Sequence, residues 1–265
     1  MSRRLLRWAT AAALASVGAA AGAQDAARSG QRVSVEGAVA HPGTRELPPS
    51  ARFSDAVLAA APTPGAYVLG ASVLRRDALA AQTRARAGLL YDLQALADDP
   101  RSEPAAAALA RRLQRWIEGL PATGRVTGRL EPRALEVDLD ANRPLAEGDR
   151  FVYPSRPATV RIAGAVAQDC APAHVPLRDA RDYLRDCAPD AAADRDWLYA
   201  IQPDGHVERL GIAPWNRSAA YPLAPGAWLY VPLSERAVRR VAPDLNRALA
   251  DFLATQPLPA AEHAP

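Results

Sequence analysis

Three side chains in this 265-residue sequence have the chemistry used to recognise sugars or protein partners. Arg125 lies within Gly124-Arg125-Val126, and Trp215 and Asn216 lie in a polar loop ahead of a turn. An indole ring stacks on apolar faces, whereas guanidinium and amide groups donate hydrogen bonds to hydroxyls or carboxylates. We therefore predict Arg125, Trp215 and Asn216 as ligand-binding residues. Each is also compatible with a structural role, and Trp215 in particular with a place in the core.

Residue patterns typical of catalysis and metal binding are missing from the sequence. The motifs of serine hydrolases, phosphate-binding loops and zinc proteases do not occur. Asp138 and Asp140 alternate with apolar residues, which predicts the exposed face of a strand rather than a glycosidase pair. No two histidines have the spacing of metal ligands: His41, His174, His206 and His263. The sequence thus predicts no cofactor, no metal and no enzyme; a glycan-modifying enzyme without a recognised motif is the alternative.

The first residues read as an export signal. Arg3, Arg4 and Arg7 precede an apolar run that ends in Ala21-Gly22-Ala23, the pattern of a signal peptide cut after Ala23. A retained N-terminal anchor is the alternative. The chain contains no lysine, so its 32 basic residues are all arginine, and three lie in this segment. The remaining 32 − 3 = 29 arginines balance 29 acidic residues, which argues against a nucleic-acid partner.

Cys170 and Cys187 are the two cysteines of the chain. In an exported protein a single pair of cysteines is typically oxidised, so we predict a disulfide. Closing a loop of this length stabilises a fold by about 3 kcal/mol in the chain-entropy model. Two unpaired thiols, one at each end of an intervening helix, are the alternative.

The elements that position these residues form an internal repeat. Val33 to Ala40 recurs at Val160 to Ala167, and Pro144 to Gly148 recurs at Pro222 to Gly226. The offsets are 160 − 33 = 127 and 222 − 144 = 78, so the first copy contains an insertion of 127 − 78 = 49 residues. A repeat of this kind decides the architecture.

Each copy has the same predicted order of strands around one short helix. The opening strands cover 32–39 and 159–166, each with a glycine that indicates a bulge or a close backbone approach. The helix of copy one, at Phe53 to Ala56, aligns with Leu177 to Ala180. The next strands are Tyr67 to Leu69 and Trp197 to Ile201, and Asp204-Gly205 predicts a hairpin turn. The closing strands are predicted at Arg150 to Tyr153 and Trp228 to Val231. This pattern predicts an α+β protein of two tandem β-grasp-like modules.

Helices account for the rest of the chain. Leucines spaced on one face predict a helix from Arg76 to Asp98, and a second helix follows to about Glu118, so that the insertion is a helical hairpin. After the second module, an apolar stripe predicts an amphipathic helix that Pro243 should kink or restart. It either packs on its own domain or contacts a partner, a second copy or a membrane surface. The predicted segments are a signal peptide (1–23), modules at 31–156 and 158–233, the hairpin at 76–119, the C-terminal helix (234–255) and a flexible tail (256–265).

These motifs together resemble the GfcC family of capsule-biosynthesis proteins. The resemblance covers residues 31 to 255 and rests on short motifs in order. They are the duplicated Val-x-Val-x-Gly-Ala-Val openings, Gly124-Arg125-Val126, Asn142-Arg143-Pro144-Leu145 with Gly148-Asp149, Pro154-Ser155-Arg156-Pro157, and Trp215-Asn216. The Cys170–Cys187 pair and Pro243 depart from the family pattern, and Pro243 puts the continuity of the last helix in question.

The resemblance implies a fold, a location and a role. GfcC-like proteins are similar to the periplasmic domains of polysaccharide export channels of the Wza type, which are built from β-grasp, SLBB-like modules. The expected protein is therefore periplasmic and non-enzymatic, and it acts in capsule or exopolysaccharide assembly. Its expected partners are a polysaccharide or the proteins of polysaccharide export.

Overall fold

The computed structural model describes residues 30–260, so the predicted signal peptide, His263 and the end of the tail lie outside the described residues. The described chain is an α+β protein with two mixed sheets. Its strands are β1 (Gln31–Gly37), β2 (Gly43–Leu47), β3 (Ser72–Leu74), β4 (Arg125–Val126), β5 (Arg150–Tyr153), β6 (Arg161–Gly164), β7 (Trp197–Ile201), β8 (Val207–Gly211) and β9 (Trp228–Val231). Its helices are α1 (Phe53–Ala60), α2 (Arg76–Asp98), α3 (Pro104–Gly119), α4 (Pro132–Val137), α5 (Glu235–Val238) and α6 (Leu245–Ala254), with 3₁₀ helices at Val68–Gly70 and Ala180–Arg185.

The two sheets share one topology, except that the edge strand β2 of the first has no counterpart strand in the second. The first has the strand order β2-β1-β5-β3-β4 and the second β6-β9-β7-β8. In both, the first and last strands of the module pair in parallel at β1–β5 and β6–β9. The next strand, β3 or β7, is antiparallel to that last strand. A hairpin partner, β4 or β8, completes the edge.

The repeat extends to individual hydrogen bonds. The amide of Gly148 donates to the carbonyl of Arg32 at 2.8 Å, and the amide of Gly226 donates to Thr159 at 2.7 Å. The two acceptor residues are 159 − 32 = 127 residues apart and the two donors are 226 − 148 = 78 residues apart, which are the offsets of the sequence repeat. The duplication predicted from sequence is therefore a duplication of backbone geometry.

Gly37 and Gly164 end the opening strands where two backbones meet. Gly37 has φ +91° and Gly164 has φ +106°, the left-handed region that glycine adopts at low cost. A Cβ added at Gly37 would lie 1.9 Å from the carbonyl oxygen of Tyr153, and one at Gly164 would lie 2.3 Å from that of Val231. The close backbone approach predicted from sequence is confirmed in both modules.

The predicted alignment of the two helices was wrong by three residues. Arg52 bridges Pro144 and Asp179 bridges Pro222, so the helical residue Phe53 corresponds to Ala180 rather than to Leu177. Leu177 instead lies 86% exposed with φ +58°. The next predicted strand was also misplaced, because Tyr67 to Leu69 enters the 3₁₀ helix Val68–Gly70 and β3 begins only at Ser72. The predicted alignment followed similar apolar residues, whereas the structure keeps the offset of 127 residues between the two copies at this helix.

The predicted strand containing Asp138 and Asp140 was also wrong. Pro132 begins the helix α4, which ends at Val137 because Asp138 turns the chain. The Asp138 carboxylate accepts the backbone amides of Asp140 and Ala141 at 3.1 and 3.0 Å. A short side chain that bonds nearby amides stabilises a turn, and this local bonding overrides the alternating pattern.

The insertion is a helical hairpin formed by α2 and α3, as predicted. It leaves the first module after β3 and returns at β4. At the equivalent position of the second module, a short hairpin turn joins β7 to β8. Its buried side chains, among them Leu93, Leu96 and Ile117, belong to the same apolar core as the strands of the second module. The first module has a separate, smaller core around Phe53 and Phe151.

The C-terminal segment forms two helices rather than one. α5 ends at Val238 and α6 begins at Leu245, with Pro243 between them. Proline lacks an amide donor and disfavours helix at the preceding residue, which explains the break. α6 buries Leu249, Phe252 and Leu253 in the core of the second module. Within residues 30–260, no helix has the length and apolar character to cross a membrane.

Cys170 and Cys187 form the predicted disulfide, with an S–S distance of 2.06 Å. The alternative of two unpaired thiols is therefore excluded in this structure. The bridge joins the loop after β6 to the end of the 3₁₀ helix Ala180–Arg185. It lies in the second module, whereas the first module has no cysteine.

Candidate functional site

A cleft of about 840 Å³ lies where the two modules and α6 meet, and we call it the junction cleft. One wall is the chain that follows β4, the second is the turn between β7 and β8, and the third is α6. Its lining residues include Arg125, Arg129, Asp204, His206, Arg247 and Asp251. A concave site with converging polar groups is the usual form of a ligand-binding site.

Arg125 forms the deep part of the junction cleft and is only 4% exposed. Its Nη1 donates to the carbonyls of Ala254 and Gln256, both at 3.1 Å, and its Nη2 donates to the carbonyl of Pro203. Ala254 is the last residue of α6, where unpaired carbonyls attract a cation. One side chain of the first module thus holds both the second module and the end of α6.

The local backbone keeps Arg125 in position. Gln82 of α2 donates from Nε2 to the Arg125 carbonyl at 2.8 Å and accepts the Gly124 amide at 2.7 Å. Gly124 has φ +75°, and a Cβ there would lie 2.4 Å from the carbonyl oxygen of Arg75. Gly124-Arg125 is therefore constrained by close packing where the hairpin rejoins the first module.

The charge of Arg125 has no carboxylate in direct contact within residues 30–260. Its Nε is buried and has no hydrogen-bond partner in that part of the chain. Burial lowers the pKa of Arg125 to about 10, although the nearby Asp204 opposes this change. The guanidinium is still protonated at neutral pH, so the cleft contains a buried positive charge that an anion could compensate.

Two further arginines face the junction cleft, each beside a carboxylate. Arg129 lies 3.4 Å from the Asp204 carboxylate, and Arg247 lies 2.9 Å from that of Asp251. With Arg125 included, three arginines and two aspartates line the cleft. The cleft therefore has an excess of positive charge before any contribution from His206.

A second groove of about 510 Å³ adjoins the junction cleft and shares Arg129, Asp204 and His206 with it. Its other side has apolar and aromatic walls that include Leu177 and Tyr221. His174 lies at the edge, with Nε2 2.9 Å from the carbonyl oxygen of Leu223. The two depressions together form an extended surface, which suits a chain-like ligand better than a small compact one.

Trp215 and Asn216 lie on a separate surface. Trp215 is 71% exposed, so it is not a core side chain, and its ring packs edge-to-face on Trp197 with centroids 6.2 Å apart. Asn216 accepts the Ala213 amide and donates to the Asp196 carbonyl, both at 3.0 Å. Asn216 therefore holds the loop that presents Trp215 to solvent.

Comparison with known proteins places this chain in a family. The family model for the C-terminal region of GfcC capsule-biosynthesis proteins matches residues 170–257. A relative, the uncharacterized protein YjbG of Escherichia coli (strain K12), is 31% identical over 186 residues, which cover 70% of this chain and 74% of the relative. This chain belongs to the GfcC family. The resemblance predicted from sequence is confirmed, and with it a family connection to capsule biosynthesis.

In this GfcC family member the three predicted site residues do not meet. Arg125 contacts Pro203, which follows the end of β7, whereas Trp215 packs on Trp197 at its beginning. A strand of this length separates its ends by about 15 Å. The family match at 170–257 includes the second-module and α6 walls of the junction cleft but not Arg125 or Arg129.

Sequence reasoning missed most of the junction cleft. Asp204 was interpreted only as a turn residue and His206 only as one of the histidines without metal-ligand spacing, and no role was predicted for Arg247 or Asp251. No local spacing connects these positions, because they come from three segments that only tertiary packing brings together. Within residues 30–260, no cluster of three or more histidine, cysteine or acidic side chains could hold a metal ion.

Proposed function

We propose that this protein is a non-enzymatic periplasmic accessory factor of capsule or exopolysaccharide assembly, and that its junction cleft binds an acidic polysaccharide. The observation that carries the proposal is the buried Arg125, with an unpartnered Nε, in a cleft with two more arginines. Carboxylate groups on sugars would accept hydrogen bonds from the exposed Arg129 and Arg247, and the buried charge of Arg125 would attract them. The extended groove beside the cleft suits several consecutive sugar units.

Location and fold are part of the proposal. The Cys170–Cys187 disulfide favours an oxidising compartment, which agrees with the predicted signal peptide and the periplasm. The parallel pair of first and last strands in each sheet, with an antiparallel strand next to the last one, supports two β-grasp modules of the SLBB-like type. Trp215, exposed on a loop that Asn216 holds in place, is proposed as a second contact for the glycan or for an export protein.

A role without catalysis is supported by the state of the carboxylates that line the cleft. Asp204 and Asp251 each lie beside an arginine. Each carboxylate is thus engaged by a guanidinium group, whereas a glycosidase needs two carboxyl groups placed across a cleft to act on the glycosidic bond. The apolar side of α6 is buried in the second module, so contact with a membrane or another copy through it would require undocking.

The test compares binding and complementation. Arg129→Gln and Arg247→Gln each alter an exposed side chain of the cleft, while Arg239→Gln alters an exposed arginine elsewhere and is the matched control. We expect affinity for purified host polysaccharide, measured by calorimetry, to fall about tenfold for each cleft variant and to stay unchanged for the control. The polysaccharide should keep its chain length after incubation with the protein.

The second arm deletes the gene in its native host and restores it in each form. Surface polysaccharide should be reduced by deletion and restored by the wild type and Arg239→Gln, but not by the variant that combines Arg129→Gln with Arg247→Gln. Unchanged polysaccharide after deletion would refute the role in assembly. If an export protein copurified and no glycan bound, the ligand of the cleft would be a protein and not a polysaccharide. Polysaccharide that became shorter during incubation would indicate an enzyme.

A further inference from the structure

A second cleft, separate from the junction cleft, lies between the helical hairpin and the second module. It has a volume of about 420 Å³, and we call it the hairpin cleft. α3 supplies one wall with Arg112, Leu113 and Trp116, and Gly164 with residues 167–169 supplies the other. None of these residues lines the junction cleft. The two clefts therefore differ in the residues available to a ligand.

Trp116 gives the hairpin cleft an aromatic wall of fixed orientation. The ring is half-buried and packs on Trp228, with centroids 6.1 Å apart. The Arg161 guanidinium lies 5.1 Å from the centroid of the Trp228 ring. Because Trp228 belongs to β9, the orientation of Trp116 depends on a rigid sheet rather than on a mobile loop.

The opposite wall carries polar groups that are free to bind a ligand. Within residues 30–260, the side chains of Gln168 and Asp169 make no hydrogen bond or ion pair, and partial desolvation raises the pKa of Asp169 although the nearby Arg112 opposes this change. Arg112 is already occupied, since it donates to the carbonyls of Gly164 and Val166 and lies 3.5 Å from the Asp190 carboxylate. The cleft thus offers a carboxylate and an amide but no uncommitted cation.

The loop that carries Gln168 and Asp169 is held in place at both ends. The Ala167 amide donates to the Ala188 carbonyl at 2.9 Å, and Cys170 exchanges two hydrogen bonds with Ile162. The disulfide joins Cys170 to Cys187 directly beyond Asp169. A ligand would therefore meet a loop whose backbone is already ordered, which reduces the entropic cost of binding.

We infer that the hairpin cleft is a second saccharide site, selective for a neutral sugar unit. Trp116 would stack on the apolar face of the ring, Asp169 would accept hydrogen bonds from its hydroxyls, and Gln168 would both donate and accept. A free carboxylate would repel an acidic sugar, whereas the junction cleft favours one. The inference rests on the proposed glycan-binding function and assigns neutral and acidic units to different clefts.

The test measures binding of neutral tetrasaccharides of glucose, galactose and mannose, and of tetragalacturonate, by saturation-transfer NMR and calorimetry. Asp169→Ala and Gln168→Ala alter exposed side chains of the cleft, and Glu118→Ala on α3 is the matched control outside it. We expect at least one neutral tetrasaccharide to bind, with about tenfold weaker affinity in Asp169→Ala and no change in the control. Thermal unfolding of each variant verifies that its fold is retained.

The outcomes separate this inference from the function proposed above. Tetragalacturonate binding should depend on Arg247 and remain unchanged in Asp169→Ala. If no neutral tetrasaccharide binds the wild type, or if one binds Asp169→Ala and Gln168→Ala as strongly as the wild type, the neutral site is refuted. In that case, binding of the acidic ligand that depends on Arg247 would leave the proposed function standing. If the wild type bound neither a neutral tetrasaccharide nor tetragalacturonate, both proposed glycan sites would be refuted.

Discussion

The two modules have the same strand arrangement but bury different surfaces. The first packs its sheet against α1 and α4 and has a small core of its own. The second packs against α2, α3 and α6 and has the larger core. The hairpin belongs to the first module by chain connection and to the second by packing. Segment boundaries drawn from the sequence therefore do not coincide with the units that share a hydrophobic core.

This difference explains how the junction cleft forms. The hairpin leaves the first module at Arg75, which makes a two-pronged contact with the buried Asp149, and returns through Gly124. Because the hairpin is packed on the second module, both points are fixed relative to that module. Arg125 follows directly and contacts carbonyls of the other two walls. The insertion therefore positions the site, although it supplies few of the lining residues.

The largest predicted effect tests whether the hairpin shares the stability of the second module. Leu93→Ala removes a fully buried hairpin side chain, and we expect it to lower the free energy of unfolding by about 2–5 kcal/mol. Hydrogen exchange should accelerate in α2, α3, β7 and β9, because they share one core. Exchange in β1 and β5 should change much less.

Val33→Ala is the counterpart in the first module, where Val33 is 1% exposed. It should accelerate exchange in β1 and β5 and leave β7 and β9 near their wild-type rates. Leu79→Ala, on an exposed part of α2, serves as the control for loss of a leucine from the hairpin itself. If Leu93→Ala accelerated exchange equally in both sheets, the modules would unfold as one unit and the comparison would fail.

The sequence predicted the fold well where apolar residues recur at regular spacing and turn residues separate the elements. The hairpin bounds, the opening and closing strands and the β7–β8 turn follow from apolar spacing and turn residues. Prediction was less accurate where local bonding decided the outcome, as at Asp138, or where apolar similarity competed with a fixed offset, as at Leu177. The candidate site was predictable only at Arg125, since its other walls come from distant segments that tertiary packing brings together.

The second prediction concerns the duplicated glycines. Gly37→Ala would place a Cβ 1.9 Å from a backbone oxygen, whereas Gly43→Ala meets nothing within 4 Å although its φ is +108°. Both variants incur the cost of a left-handed conformation, about 1–2 kcal/mol. Gly37→Ala should lower the free energy of unfolding by about 1–3 kcal/mol more, because the strands must separate.

Gly164→Ala extends this test to the second module. Its Cβ would lie 2.3 Å from the Val231 oxygen, so its destabilisation in urea should also exceed that of Gly43→Ala. Agreement between the two duplicated positions would confirm that they have the same role in both modules. Equal destabilisation by all three alanine variants would show that the close approach adds nothing to the cost of the backbone conformation.

The smallest predicted effect concerns an ion pair that joins the hairpin tip to the segment between α5 and α6. The Asp99 carboxylate accepts a hydrogen bond from Arg240 at 2.5 Å, and this bond is the main reason that its pKa falls from 3.8 to about 2. A carboxylate with a lowered pKa in the folded state stabilises that state when it is ionised. The contribution is therefore present above about pH 4 and is lost as the pH falls through about 2.

Asp99→Asn should lower the free energy of unfolding at pH 7 and flatten its dependence on pH between 4 and 2. Glu136→Gln, at an exposed site on α4 of the first module, should leave that slope unchanged, and an equal change of slope in both variants would show that the second module gains nothing from this contact.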